Sequence, residues 1–107
     1  MRNLTPAELA EWLADGARER PVLLDVREPW EFQTCRIAGA RLVPMNELPR
    51  RLGELDPAAD VVAICHHGTR SMHVAHFLER QGFERVYNLA GGVDAWARSI
   101  EPAMPVY

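Results

Sequence analysis

Two kinds of apolar pattern alternate along the chain. Short apolar runs predict β-strands, whereas stretches in which apolar residues recur three or four positions apart predict amphipathic helices. The predicted strands cover residues 21–26, 41–43, 61–64 and 86–89. Segment 61–64 is β-branched and lies between polar residues, so we expect it to be the central strand. The alternation of strands and helices favours a parallel sheet with helices on both faces.

The first predicted helix has clear signals at both ends. Thr5 is suited to the N-cap, Pro6 to the first helical position, and Glu8 completes a capping box. We therefore predict a helix from Pro6 to Asp15 that is terminated by Gly16. The remaining predicted helices are a brief one over 29–33, a short one that Asn46 caps and that holds Leu48 and Leu52, one over 71–81, and a final one that opens at Gly91 and Gly92.

Length and charge limit the classes of protein that this chain can be. It has 107 residues and a formal net charge of −3, which predicts one domain over residues 1–107. No apolar run approaches the ~20 residues of a membrane span, and no secretory signal is visible, so a cytoplasmic protein is expected. All 12 basic residues are Arg and are scattered among acids, so nucleic-acid binding is not expected. The pattern leaves the oligomeric state open.

The segment 65–71, Cys-His-His-Gly-Thr-Arg-Ser, lies between the best predicted strand and the best predicted helix. Cys65 therefore ends a parallel strand, at the edge where open α/β sheets bind ligands. The N-terminus of the following helix directs N–H groups toward the sulfur and Arg70 adds positive charge, which favours the nucleophilic thiolate. Gly68 supplies the conformational freedom that such a loop needs. The alternative is a buried cysteine that merely ends a strand, but strand, glycine loop, arginine and helix start coincide here.

Three stretches of the chain resemble the rhodanese family of sulfurtransferases. Segment 65–71 is similar to the family's Cys-x-x-Gly-x-Arg-Ser active loop. Segment 24–29, Leu-Asp-Val-Arg-Glu-Pro, is similar to its Asp-Val-Arg-Glu stretch, and segment 88–96 resembles its closing Leu-x-Gly-Gly-x-x-x-Trp stretch. Because the order and spacing match over nearly the whole chain, the three motifs together are highly specific.

The resemblance implies a rhodanese-like α/β domain with a central, mainly parallel, five-stranded sheet flanked by helices on both faces. The fifth strand would be the short stretch at Asn3 and Leu4. It also implies that Cys65 is the catalytic nucleophile. In that reaction Cys65 takes sulfane sulfur from a small anionic donor such as thiosulfate and carries it as a persulfide. The acceptor is cyanide, a small thiol or a protein thiol, and neither a metal nor an organic cofactor is required.

Further candidate site residues surround the cysteine. The backbone of the active loop would cradle the sulfur, and its members are His66, His67, Gly68, Thr69 and Arg70. Arg27 follows a strand end and is expected on the same rim. The resemblance implies that it contacts the anionic donor, and an ion pair to Glu28 or Glu31 is the alternative. Arg70 either contacts the substrate or ties the loop to an acid of the scaffold such as Asp25. The two histidines would shape access to the pocket.

Two other functions compete with sulfur transfer. One is a non-catalytic rhodanese-like module that binds a partner or senses oxidants through Cys65, but a pure scaffold needs no thiolate and the active loop is complete. The other is a phosphatase or arsenate reductase. Only four residues separate Cys65 from Arg70, whereas the cell-cycle dual-specificity phosphatases of the same fold have a longer loop. The smaller loop suits a single sulfur atom better than a phosphoryl group.

Cys35 lies in the clearest departure from the family pattern, because segment 34–40 differs from the usual Gly-His-Ile-Pro-Gly-Ala. One hypothesis gives Cys35 a resolving role, in which it attacks a Cys65 persulfide to form a disulfide. His73 and His76 lie three positions apart on a predicted helix and, with the loop histidines, could suggest a metal site. Surface histidines are the commoner explanation, so no metal is expected.

Overall fold

The computed structural model describes all residues 1–107 as five strands and five α-helices. The strands are β1 (Arg2–Leu4), β2 (Val22–Asp25), β3 (Arg41–Leu42), β4 (Val61–Ile64) and β5 (Val86–Leu89). The helices are α1 (Pro6–Ala14), α2 (Pro29–Thr34), α3 (Leu48–Arg51), α4 (Thr69–Arg80) and α5 (Gly92–Ser99). Short 3₁₀ helices flank α3 at Met45–Glu47 and Leu52–Glu54.

All neighbouring strands of the sheet are parallel, in the order β1-β5-β4-β2-β3. The prediction of a five-stranded, mainly parallel α/β sheet is confirmed, and β4 lies at its centre as predicted. The fifth strand, β1, pairs with β5 at one edge, where Leu4 is opposite Leu89. Parallel strands joined by helical crossovers end at one edge of the sheet, so the loops after β2, β4 and β5 lie on the same rim.

Alternate residues of the strands face two separate apolar clusters, one on each side of the sheet. One cluster is covered by α3 and α4 and includes Leu24, Val61, Ala63, Val74 and Leu78. The other is covered by α1 and α5 and includes Leu23, Val62, Ile64, Trp12 and Trp96. Because β4 is buried on both faces, its sequence is an unbroken apolar run. None of the helices has the length and apolar character needed to cross a membrane.

Two helix starts differ from the sequence prediction by more than one residue, whereas the ends of α1, α2 and α4 each differ by one. Helix α4 begins at Thr69 rather than at residue 71, because Gly68 adopts a left-handed conformation with φ of 99° and turns the chain directly into the helix. Asn46 caps no helix, since it lies inside a 3₁₀ helix and Glu47 precedes α3 instead. Pro49 is accommodated in the first turn of α3, where its missing N–H costs no helical hydrogen bond.

Packing of α4 against the sheet predicts a large difference between two truncations on that helix. Leu78 is fully buried and Met72 is exposed. Leu78→Ala is expected to lower the free energy of unfolding by about 3 kcal/mol, since it leaves a cavity as well as removing apolar contacts. Met72→Ala, the control, is expected to change it by less than about 0.5 kcal/mol. Urea unfolding followed by circular dichroism measures both, and equal losses would show that α4 does not pack as described.

Candidate active site

Cys65 follows the last residue of β4 and is almost completely buried, with 1% of its surface exposed. Its Sγ accepts a hydrogen bond from the backbone N–H of Gly68, with the nitrogen and sulfur 3.0 Å apart. The Ser71 Oγ lies 3.2 Å from the same sulfur. The sulfur thus faces the loop and the first turn of α4, where helical N–H groups lack acceptors within the helix. This is the position predicted for a nucleophile at the carboxyl end of the central strand.

A chain of polar side chains supports Ser71 from β5. The Ser71 hydroxyl donates to the Asn88 Oδ1, 2.5 Å away. The Asn88 Nδ2 in turn donates to the Asn3 Oδ1 at 3.0 Å and to the Gly68 carbonyl at 3.3 Å. Because a hydroxyl carries one proton, Ser71 can donate either to Asn88 or to Cys65, but not fully to both. Rotation of this hydroxyl would therefore supply a second donor when the sulfur becomes negatively charged.

The start of α5 fixes the backbone of the loop. The N–H groups of Val93 and Asp94 donate to the carbonyls of Cys65 and His66, at 2.9 and 3.0 Å. Gly92 approaches so closely that a Cβ there would lie 2.4 Å from both carbonyl oxygens, and its φ is +62°. Both the close contact and the left-handed backbone require glycine at this position. The Gly-Gly pair thus serves the cysteine loop as well as opening a helix.

Arg70 extends from the first turn of α4 to the scaffold. Its guanidinium forms two parallel hydrogen bonds with Glu31 of α2, at 2.7 and 2.9 Å. Of the two predicted roles for Arg70, the geometry matches the tie to an acid of the scaffold, although that acid is Glu31 and not Asp25. The hydrogen bonds from Arg70, opposed by burial, hold the pKa of Glu31 at about 2. Glu31 is therefore ionised throughout the neutral range.

Arg27 is fully buried, and each of its five N–H donors has a partner. The Nε and one Nη bind the Asp25 carboxylate at 2.8 to 3.1 Å. The remaining donors bind the carbonyls of Glu31 and Cys35 and the phenol oxygen of Tyr107, at 3.3, 2.6 and 2.9 Å. No donor is left for a ligand.

The prediction that Arg27 contacts the anionic donor therefore does not match its placement. Its side chain is fully buried, and its donors are taken up by Asp25, the end of α2 and Tyr107. The alternative named an ion pair with Glu28 or Glu31, and the structure has an ion pair with Asp25 instead. A buried carboxylate two residues earlier in the chain compensates the charge that burial would otherwise make costly.

Tyr107 is a site residue that the sequence analysis missed. Its phenol donates to the Glu31 Oε2 at 2.7 Å and accepts from Arg27. Its ring stacks on the ring of His66, with centroids 4.1 Å apart. Burial, opposed by the hydrogen bond from Arg27 and reinforced by Glu31, raises the pKa of Tyr107 to about 12. The phenol therefore keeps its proton and joins the Arg27 and Arg70 ion pairs into one network.

His66 and His67 have different surroundings although their rings stack at 4.0 Å. His66 is half-buried, and burial together with His67 lowers its pKa below the ordinary value. His67 is exposed, and its Nε2 is 3.9 Å from Asp94. The ligand atoms of His66, His67 and Asp94 lie within 4.8 Å of one another and could hold a cation, but Asp94 already pairs with Arg98.

The side chains of the other residues singled out by the sequence form no hydrogen bond with the Cys65 sulfur. Thr69 is the exposed first residue of α4. His73 and His76 are not part of the histidine and aspartate cluster. Cys35 is buried in the apolar cluster covered by α1 and α5, whereas Cys65 belongs to the cluster on the opposite face of the sheet. That separation does not favour a disulfide between the two thiols.

The fold and the site define an α/β protein with a candidate cysteine nucleophile in a loop before a helix. Comparison with known proteins identifies the family: the family model for the rhodanese-like domain matches residues 5–99. The chain is 41% identical over 98 residues to a sulfurtransferase of Allochromatium vinosum, which covers 92% of this chain and 90% of that protein. The chain therefore belongs to the rhodanese-like family, and the resemblance of its motifs is confirmed.

Some other similar proteins are about as long as this chain, and one is much longer. The thiosulfate sulfurtransferase GlpE of Glaesserella parasuis is 35% identical, with 94% of this chain and 90% of that protein covered. The rhodanese-like/PpiC domain-containing protein 12 of Arabidopsis thaliana is 37% identical over 79% of this chain, which spans only 30% of that protein. A crystal structure of a rhodanese-related protein from Thermoplasma volcanium has a TM-score of 0.84 at 29% identity and covers 95% of this chain and 96% of its own.

The ion pair between Glu31 and Arg70 predicts a pH-dependent contribution to stability. The pKa of Glu31 is about 2 in the folded protein, against an ordinary value of 4.5. Because the pKa of Glu31 is lower in the folded protein than in the unfolded chain, the ionised carboxylate stabilises the fold at pH values above about 4.5. This stabilisation is lost as the pH falls from about 4.5 toward 2. Glu31→Gln should therefore lower the free energy of unfolding by on the order of 2 kcal/mol at pH 7.

Below pH 4.5, the difference in the free energy of unfolding between Glu31→Gln and the wild type should shrink as the pH approaches 2. Urea unfolding at a series of pH values measures it. Glu84→Gln is the matched control, because Glu84 is exposed and forms no ion pair. A constant difference between Glu31→Gln and the wild type over this range would contradict the assigned ion pair.

Proposed function

We propose that this chain transfers sulfane sulfur from thiosulfate, or a similar small anion, to cyanide or a thiol. The observation that carries the proposal is the environment of Cys65 at the carboxyl end of the central strand, where its sulfur accepts a hydrogen bond from the Gly68 N–H and lies beside the Ser71 hydroxyl. The site contains a single thiol, and the hydroxyl in contact with it, that of Ser71, is its hydrogen-bond partner. A persulfide on this sulfur is therefore the intermediate that the residues support.

In the first step the Cys65 thiolate attacks the outer sulfur of thiosulfate. A bond forms between the two sulfurs, the bond from the outer sulfur to the sulfonate sulfur breaks, and sulfite leaves with that electron pair. The thiolate is thereby converted to a persulfide anion. In the second step a cyanide ion or a thiolate attacks the terminal sulfur, and the thiolate of Cys65 leaves. Charge is conserved in both steps, and no external oxidant or reductant is needed.

The donors around Cys65 suit a compact anion on its sulfur. The N–H of Gly68 already points at Sγ, and the Ser71 hydroxyl can turn from Asn88 toward it. The first-turn N–H groups of α4 add the positive end of the helix dipole. Donors that are fixed before reaction cost no reorganisation, and each such donor contributes about 3 kcal/mol in comparable anion sites.

Phosphate hydrolysis is a poorer match to the same residues. A phosphatase arginine must offer its guanidinium fork to the oxygens of the phosphoryl group. In this chain the fork of Arg70 binds the Glu31 carboxylate through both Nη atoms. The short loop between Cys65 and Arg70 also leaves room for fewer oxygens. These two features support sulfur transfer over phosphoryl chemistry.

The proposal also names thiosulfate as the sulfur donor and a reducing compartment as the location. The likeness to GlpE of Glaesserella parasuis, described as a thiosulfate sulfurtransferase, supports thiosulfate as the donor. A cytoplasmic location suits a free thiol at the site, because reducing conditions keep cysteines out of disulfides. A small thiol or a protein thiol would be the acceptor in that setting. Nucleic acid, a membrane, a metal and an organic cofactor have no part in the proposal.

The proposal predicts a covalent change on one cysteine. Incubation with thiosulfate should add one sulfur, about 32 Da, to the intact protein, and peptide mapping should locate it on Cys65. Addition of cyanide should remove that mass and release thiocyanate. Cys65→Ser should abolish both signals, because a hydroxyl cannot carry sulfane sulfur. Cys35→Ser is the matched control and should retain both.

Two results would contradict this proposal. Thiocyanate formation by Cys65→Ser at the wild-type rate would show that another group carries the sulfur. A wild-type protein that gains no mass from thiosulfate, while its Cys65 still reacts with iodoacetamide, would favour the non-catalytic binding or redox-sensing module.

A further inference from the structure

Cys65 has no open route to solvent in this conformation. Only 1% of its surface is exposed, and none of the surface cavities includes it. One cavity lies beside the loop and is lined by His67, Gly68 and Thr69 together with residues of β5 and α4. Cys65 is not among its lining residues. A sulfur donor and an acceptor can therefore reach the thiol only after some covering group moves.

The segment 100–107, which we call the strap, approaches the same rim after α5. Near its start, the Glu101 carboxylate accepts a hydrogen bond from the Trp96 indole at 2.9 Å. Met104 then packs against the apolar cluster beneath α1 and α5. Val106 is 56% exposed and makes no polar side-chain contact. Glu101 and Met104 thus attach the first part of the strap to the protein, and Tyr107 holds its last part in place.

Tyr107 attaches the outer part of the strap to the active-site rim by four contacts. Its phenol joins Glu31 and Arg27, at 2.7 and 2.9 Å. Its ring stacks on His66, the residue directly after the nucleophile, and meets the ring of Trp30 edge-on at 5.2 Å. Glu31 is also the partner of Arg70 in the active loop. Tyr107, which is 36% exposed, is therefore bonded to the group that holds the loop and lies against the residue that follows Cys65.

We propose that Tyr107 is a size gate over Cys65, which admits small reactants by local movement of the loop and bulky thiols only when the strap lifts away. This inference rests on the proposed function for its biological meaning, since the gate would select between cyanide-sized and protein-sized acceptors. Its physical content concerns access to a thiol and can be tested without sulfur transfer.

The construction of the gate explains why the two sizes should differ. A small reactant needs only a brief displacement of the half-buried His66 ring. A bulky one needs more room beside His66, and in the proposed gate that room comes from loss of the Tyr107 stack and of both phenol hydrogen bonds together. The open state is then a minor population, and the apparent rate for a bulky reactant is reduced by that fraction. Since Pro105 and Val106 have no polar side chain, they add little to the closed state.

The test measures alkylation of Cys65 in a Cys35→Ser background, so that one thiol reacts. Two neutral probes are compared, small iodoacetamide and bulky N-(1-pyrenyl)maleimide. Tyr107→Ala should raise the rate with the pyrenyl probe at least about tenfold and the rate with iodoacetamide less than about twofold. Tyr107→Phe keeps the stack and loses the phenol hydrogen bonds, so we expect a smaller rise, about threefold, with the bulky probe alone. Val106→Ala is the matched control and should change neither rate.

Equal increases with both probes would overturn the inference, because they would show that Tyr107 only rigidifies the loop. Unchanged rates in both variants would overturn it as well. Circular dichroism and thermal unfolding establish that each variant is folded, and Tyr107→Phe decides the matter if Tyr107→Ala unfolds. Alkylation does not depend on persulfide formation, so a gate that fails this test is distinguishable from a protein that does not accept sulfur from thiosulfate.

Discussion

The contact between the cysteine loop and the start of α5 is the constraint on which the site depends. The carbonyls of Cys65 and His66 accept hydrogen bonds from the first turn of α5. This is possible only because Gly92 leaves no Cβ between the two backbones. With its carbonyls held on one side, the loop turns its N–H groups to the other side, where the sulfur lies. Residues nearly thirty positions apart in the chain thus fix the geometry of one thiol.

A second layer beneath the loop balances its charges. Two ion pairs, Arg27 with Asp25 and Arg70 with Glu31, are joined through the phenol of Tyr107. Because the arginines bind these acids, they contribute rigidity and leave the reacting sulfur to uncharged donors. Backbone N–H groups and a serine hydroxyl lie beside the sulfur and stabilise negative charge on it. That division of roles is consistent with sulfur chemistry at Cys65.

Much of this arrangement could be predicted from local sequence. The apolar run 61–64 identified the central strand, and Gly68 and Cys65 located the loop, because strand ends and left-handed glycines are properties of neighbouring residues. The direction of the Arg27 side chain could not be predicted, since it depends on partners supplied by α2 and by a residue 80 positions away. Tyr107 was missed for the same reason. Asn88 did carry a signal, as a polar residue in an apolar strand, and its burial beside Ser71 explains it.

The central claim is that the loop 65–70 and Ser71 stabilise an anionic sulfur on Cys65. A crystal structure of the protein after treatment with thiosulfate tests it most directly. The account predicts an additional sulfur bonded to the Cys65 Sγ, within hydrogen-bonding distance of loop N–H groups, with the contact between Gly92 and the loop carbonyls unchanged. An unmodified Cys65, or an added sulfur that points away from the loop into solvent, would contradict it.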